Sequence, residues 1–243
     1  MSLEAEKEAM NGLMALLSDE LSFSESKFWV LSKNNSFAEI DSEFEKRITF
    51  IRYGFEVRTK SVLENIFPHT KCLMAPEEWL NLGYNYCKNE AIKFVNINEI
   101  GEHFPKYLQT NSSNQLIIES AHFELLLYFS AKSGLGHHLT YASFDQLKDD
   151  SHIKLCDHVK IHSGLLEMNT HPWTISHAER THLIFRTGQK VKSIPLEESL
   201  ANVYKKLSIV SDISEIPDER INESDLIEFL QHALKYEILE VVS

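Results

Sequence analysis

The sequence predicts an α+β protein. A helical N-terminal bundle covers residues 1–135, a linker residues 136–150, and a small mixed domain residues 151–243, with a short antiparallel sheet and C-terminal helices. Three observations carry this. In the first half, apolar residues recur at steps of three and four, the spacing that gives a helix one dry face. Gly134 and Gly136 then punctuate the chain ahead of a polar stretch, as a connector between packed units does. Beyond it the pattern turns to alternation, with two short β-rich runs separated by Gly188 and Gln189.

Composition limits what the chain can be. With 243 residues, 43% of them hydrophobic and 25% charged, it can bury one good core or two small ones. A formal net charge of -12 argues against a broad nucleic-acid footprint, which takes clustered Lys and Arg. Three widely spaced cysteines, Cys72, Cys87 and Cys156, form neither a disulfide framework nor a CxxC site, and fit free thiols in a reducing compartment. The first residues are acidic where a signal peptide is basic, and no run approaches the roughly 20 apolar residues of a membrane span. The expectation is a soluble, cytoplasmic protein with no membrane partner.

In chain order, residues 3–21 read as an amphipathic helix with Met10, Leu13, Met14 and Leu17 on one side, and a short helix follows Ser24. Residues 44–68, FEKRITFIRYGFEVRTKSVLENIFP, carry Phe44, Ile48, Ile51, Phe55, Val62 and Ile66 at helical spacing, for about six turns. The apolar position missing from that stripe is Arg58, and a guanidinium on a buried face needs a carboxylate. Glu124 is the expected partner, because it interrupts the nearly all-apolar LIIESAHFELLLYFSA.

Between these lie PEEWLNLGYNYC, opened by Pro76 with Glu77 and Glu78 in its first turn, and a shorter helix with Ile97, Ile100, Phe104 and Leu108, in which Pro105 is a candidate early break. In the second half, HIKLCDHVKIH reads as strand, and THLIFRT with KVKSI as a hairpin around a two-residue loop. Pro195 is read as the start of a helix carrying Leu196, Leu200, Val203, Tyr204 and Leu207. A final helix over 224–239, capped by Ser224, turns Leu226, Phe229, Leu230, Ala233 and Ile238 inward.

No Walker loop, dinucleotide fingerprint, nucleophile elbow or HExxH is present. Of twelve histidines, His137 and His138, then His152, His158 and His162, then His171, His177 and His182 cluster in the chain, but without a repeated ligand spacing, so packed or solvated roles are favoured over a metal site. Neither Cys72 nor Cys156 has a local feature that would activate a thiol. Arg180, Arg186, Lys190 and Lys192 gather basic charge at the hairpin of an otherwise acidic chain, either as a docking surface or as an edge protected against aggregation.

Four segments in order, IRYGFEVRTKSVLENIFP, PEEWLNLGYNYC, IGEHFPKYL and LIIESAHFELLL, resemble the helical N-terminal domain of the HvfC and BufC family, once labelled DNA-binding. The resemblance covers roughly residues 40–132, and the second half is similar to the family's variable C-terminal domain more loosely. Within the family the chain looks most like the branch that serves methanobactin biosynthesis, where LMAPEEW replaces the usual Leu-Gly before the tyrosine helix.

The resemblance implies a chain that is not an enzyme on its own and holds no cofactor. It implies a heterodimer with an MbnB-like TIM-barrel enzyme that carries the iron. It further implies that the pair oxidises cysteines of a ribosomally made precursor peptide to oxazolone and thioamide groups, giving a copper chelator, while this chain binds the leader. An unpaired strand edge suits that task, and His182, Leu183, Ile184, Phe185, Arg186 and Thr187 are expected to supply or adjoin it. Two alternatives stay open: a related iron enzyme acting on a different peptide, and a DNA-binding regulator. A stand-alone metalloenzyme rests on the histidines alone.

Overall fold

The computed structural model describes residues 42–91, 97–133, 152–167, 173–187, 189–208, 211–212 and 223–242. The helices expected over 3–21 and after Ser24, the 136–150 linker, and His137, His138 and His171 fall outside them. The protein is α+β, with helices and two antiparallel sheets. Among the described residues no helix is long and apolar enough to cross a membrane.

Two compact units divide at Ala121 and His122. Helices α1 (Ser42–Ile66), α2 (Pro68–Cys72), α3 (Pro76–Asn89) and α4 (Ile97–Asn111) lie in the first. The boundary falls inside α5 (Gln115–Lys132), which sequence assigns entirely to the first domain.

In the first unit α1 packs on α3 and α4. Pro68 and Pro76 each open a helix, because a proline at the first helical position lacks only an N–H that has no partner there. Pro105 does not break α4. The carbonyl it leaves unbonded belongs to Gly101 four residues earlier, where the helix comes so close to α1 that an added Cβ would collide with Ile66 Cδ1.

Phe104, fully buried, is the hub of this core. Its ring centroid lies 5.0 Å from Phe67, 5.1 Å from Tyr86 and 5.8 Å from Trp79, at the tilted and edge-on angles that aromatic quadrupoles favour. The buried Tyr86 hydroxyl donates to the Ile100 carbonyl, and burial raises its pKa.

The buried stripe of α1 runs through Thr59, Leu63 and Ile66: Ile66 lies on the expected line, whereas Thr59 and Leu63 stand one position past Arg58 and Val62. At 100° per residue, that shift turns Arg58 outward, and it is exposed. The requirement for a buried counter-charge at Arg58 is therefore removed. Glu124 is buried as its apolar neighbours suggest, and it lies in the other unit.

The second unit holds two three-stranded sheets. In one, β1 (His152–Leu155) runs between β5 (Ser211–Asp212) and β6 (Leu239–Val242). In the other, β3 (Thr174–Thr187) runs between β2 (Lys160–Glu167) and β4 (Lys190–Leu196). HIKLCDHVKIH is thus two strands in two sheets, parted by a turn in which Val159 N–H donates to the Cys156 carbonyl at 2.9 Å.

Helices α6 (Glu198–Leu207) and α7 (Glu223–Lys235) add Val203, Tyr204, Leu207, Leu226 and Leu230 to a core shared with Ile153, Leu183 and Phe185. Pro195 belongs to β4 rather than to a helix start, which an edge strand tolerates because one side of it donates to nothing. The last helix ends four residues before Leu239. Ile238 N–H bonds the Ala233 carbonyl at 2.8 Å, Glu237 N–H bonds the Leu234 carbonyl at 3.0 Å, and Glu237 takes φ 59°, which together form a Schellman stop.

Candidate functional site

The hairpin forms as the sequence indicates, with Thr187 opposite Lys190 and two residues between them. What differs is its place in the sheet. β3 pairs with β2 through Lys160↔Ile184, Ile161↔Leu183 and His162↔His182, and with β4 from Thr181↔Leu196 to Thr187↔Lys190. It is the central strand.

Its faces are closed as well. Successive side chains alternate across a strand. Leu183 and Phe185 enter the core beneath α6 and α7. On the other side His182 meets the Phe123 ring of α5 at 6.1 Å, and Phe123 also lies 5.3 Å from His162 and 5.5 Å from Trp173. His182, Leu183, Ile184 and Phe185 are buried. Arg186 donates to the carbonyls of Ala131 at 3.1 Å and Ser133 at 3.4 Å, using its charge where the end of α5 is short of donors. Ser130 ties the same helix to the turn before β2 by donating to the His158 carbonyl at 2.6 Å.

Of the two expectations for residues 182–187, to supply an edge or to adjoin one, the sheet order leaves the second. His182, Leu183 and Ile184 cannot offer a free edge because strands flank them on both sides. Phe185, Arg186 and Thr187 are paired to β4, and Arg186 also holds α5. These residues adjoin an edge but do not form it.

Among the described residues the outer strands of this sheet are β2 and β4, and β3 before Thr181 has no partner on the β4 side. β2 carries a register shift between Gly164 and Leu166, whereas β4 pairs without interruption over seven residues. Lys190, Lys192 and Ile194 of β4 are exposed, and Val191, Ser193 and Leu196 are half-buried. Of the four basic residues at the hairpin, Arg180 meets Glu167 at 3.3 Å and Arg186 is spent on α5. Lys190 and Lys192 remain as exposed charge on the edge itself. The signal for an edge was present in the sequence, since a proline and two lysines within one short β-rich run are characteristic of edge strands.

The titratable groups under the sheet are tuned toward neutrality. Burial, with a smaller contribution from His122, lowers His162 to about 4. Burial, and then the neighbouring His162, lowers His182 to about 4. His158 is lowered chiefly by burial. Burial also pushes the Cys87 thiol up to about 11, with the Thr59 hydroxyl opposing, and the Cys156 thiol up to about 12. Thiols so poorly ionised at neutral pH are weak nucleophiles. Among the described residues no group of three His, Cys, Asp or Glu is gathered in a way that could hold a metal ion.

No protein-family model matches the chain. No curated protein matches it either.

Proposed function

We propose that this chain is the non-catalytic, leader-binding subunit of a peptide-modifying iron oxidase, of the HvfC and BufC type and closest to MbnC. In this reading a helical N-terminal bundle engages an MbnB-like TIM-barrel partner in the cytoplasm, and the iron belongs to that partner. The small domain presents the leader of a cysteine-containing precursor peptide, whose cysteines the pair converts to oxazolone and thioamide groups on the way to methanobactin. A related barrel enzyme with a different peptide is the nearest alternative.

The observation that supports this reading is β4. A seven-residue strand that is unpaired on one side among the described residues offers alternate N–H and C=O groups to an extended peptide, and a neighbouring side-chain row can add specificity. The Thr181–Ile184 stretch of β3 behind it has β2 on its far side and buried side chains on both faces, so that part of the edge is ordered before the peptide arrives and less ordering has to accompany binding. The proposed contact therefore moves from the 182–187 strand to Lys190, Val191, Lys192, Ser193 and Ile194.

Co-expression with a candidate barrel protein, followed by titration of a synthetic leader peptide, tests this. The expected result is a stable pair, oxidation of the peptide only when both proteins are present, and an approximately tenfold or greater loss of leader affinity when Lys192→Pro and Ser193→Pro are compared with the parent. Adjacent residues of a strand face opposite ways, so one of the two substitutions removes an outward N–H. Oxidation by the lone chain, or unchanged leader affinity in both folded variants, would refute the proposal.

A further inference from the structure

The first unit carries an apolar groove that the peptide-binding reading does not use. It has a volume of about 430 Å³ and lies between α1 and α3, floored by Leu63, Trp79 and Cys87. Large apolar side chains on and beside its walls are open to solvent: Phe50 at 76%, Tyr53 at 64%, Tyr84 at 50%, and Val57 and Leu80 at 48%. Phe50, Tyr53 and Val57 follow helical spacing on α1, and Leu80 and Tyr84 on α3, so a side-chain ridge stands on either side. That shape takes the ridge of another helix. Glu56 and Lys60, opposite in charge and one turn apart on α1, are exposed and line the same groove.

We propose that the groove is the contact face of an antiparallel, two-fold homodimer, in which the α1 ridge of each copy enters the groove of the other. In a two-fold contact one patch meets itself, so the patch has to be its own complement. An axis at the level of Arg58 sets Glu56 of one copy beside Lys60 of the other, twice over. The same register lays Tyr53 of each copy above the other's Leu63 on the groove floor. A parallel arrangement would oppose Glu56 to Glu56 and Lys60 to Lys60. Arg58 lies about 140° round the helix from Tyr53, so its charge is turned away from the axis. At about 150–250 Å² for a whole aromatic side chain, the five exposed side chains amount to roughly 500 Å² per copy. Two copies then bury about 1,000 Å², the size a specific interface has to reach. The net charge of -12 opposes self-association at long range, but physiological salt screens charges beyond about 8 Å and spares the close Glu56–Lys60 contacts.

Sedimentation velocity of the full chain over a concentration series tests this, with circular dichroism to show that each variant folds. The expected result is a monomer–dimer equilibrium that Tyr53→Asp weakens about tenfold or more, because an apolar anchor is lost. Tyr53→Ala serves the same purpose if the aspartate variant does not fold. Glu56→Lys and Lys60→Glu should each weaken the dimer about tenfold or more, since both contacts between copies then oppose like charges. Mixing these two variants in equal amounts should restore it, because each supplies the charge that the other lacks. An effect confined to a single α1 cannot be restored by mixing, so this arm isolates contact between copies. A chain that stays monomeric at every concentration would overturn the proposal. So would a dimer unmoved by these substitutions, or a mixture in which nothing is restored.

Discussion

The two units solve the same problem of burying a short chain's apolar residues in opposite ways. The first gathers aromatic rings around one point, Phe104, and leaves the outer half of α1 with Phe50 and Tyr53 largely in solvent. The second encloses the middle of one strand, with β2 and β4 beside Thr181–Ile184 and α5 and the α6–α7 core on its faces, and among the described residues it leaves the outer side of β4 as strand backbone without a strand partner. An open apolar face attracts another apolar face, whereas an open backbone edge attracts another strand. The difference therefore assigns each unit a different kind of contact.

The largest expected effect tests whether the first core really has a single hub. Phe104→Ala should cost about 3–5 kcal/mol and destroy protection of α4 amides in hydrogen exchange. Amides of Leu183 and Ile184 should keep theirs. Loss of protection in both regions at once would show that the two cores melt as one.

Acid is expected to destabilise the second unit instead. His162 and His182 have native pKa values of about 4 against an ordinary 6.5. Between those values the unfolded chain binds protons that the native chain refuses, so stability falls as pH drops. The contribution is complete above pH 6.5, is lost through the window down to 4, and changes no further below it. By pH 4.5 the loss is on the order of 2–3 kcal/mol per imidazole. Urea melts at pH 7 and pH 4.5 should show it, and His162→Leu with His182→Leu should flatten it. An unchanged slope in that double variant would place the sensitivity elsewhere.

A smaller effect belongs to Arg186, which joins β3 to the end of α5. Arg186→Ala should cost about 1–2 kcal/mol and speed exchange at the last turn of α5, with the first two turns unaffected. Smallest is a gain. Glu237 holds a left-handed φ of 59° that glycine adopts without steric cost, so Glu237→Gly should stabilise the second unit by about 0.5–1 kcal/mol. A decrease in melting temperature would mean that the Glu237 side chain contributes more than its backbone costs.

Much of the helical half was legible because the starts and stops are local. The long helix stops just ahead of Pro68, Pro76 opens a helix with Glu77 and Glu78 in its first turn, and Tyr86 and Phe104 fall on the dry faces expected of them. Arg58 was misplaced because a one-residue rotation of the stripe is invisible when Thr59, rather than an apolar residue, takes the buried position. Strand boundaries were harder. The 152–162 run looked continuous, since alternation on both sides of Asp157 gives no sign that the chain changes sheets there. The hairpin was readable from its two-residue gap, but its rank in the sheet was not, because β2 joins it from residues 160–167 across more than a dozen positions.

By itself the sequence determined that the first half is helical and the second mixed, that Pro76 opens a helix, and that the hairpin closes between Thr187 and Lys190. These follow from dihedral limits and side-chain spacing over a few neighbouring residues. Only the tertiary structure decided that β3 is enclosed and β4 open, that Arg58 faces water, and that α5 is shared between two units. Each of those depends on which distant surface reaches a strand or helix first, and no local periodicity encodes that.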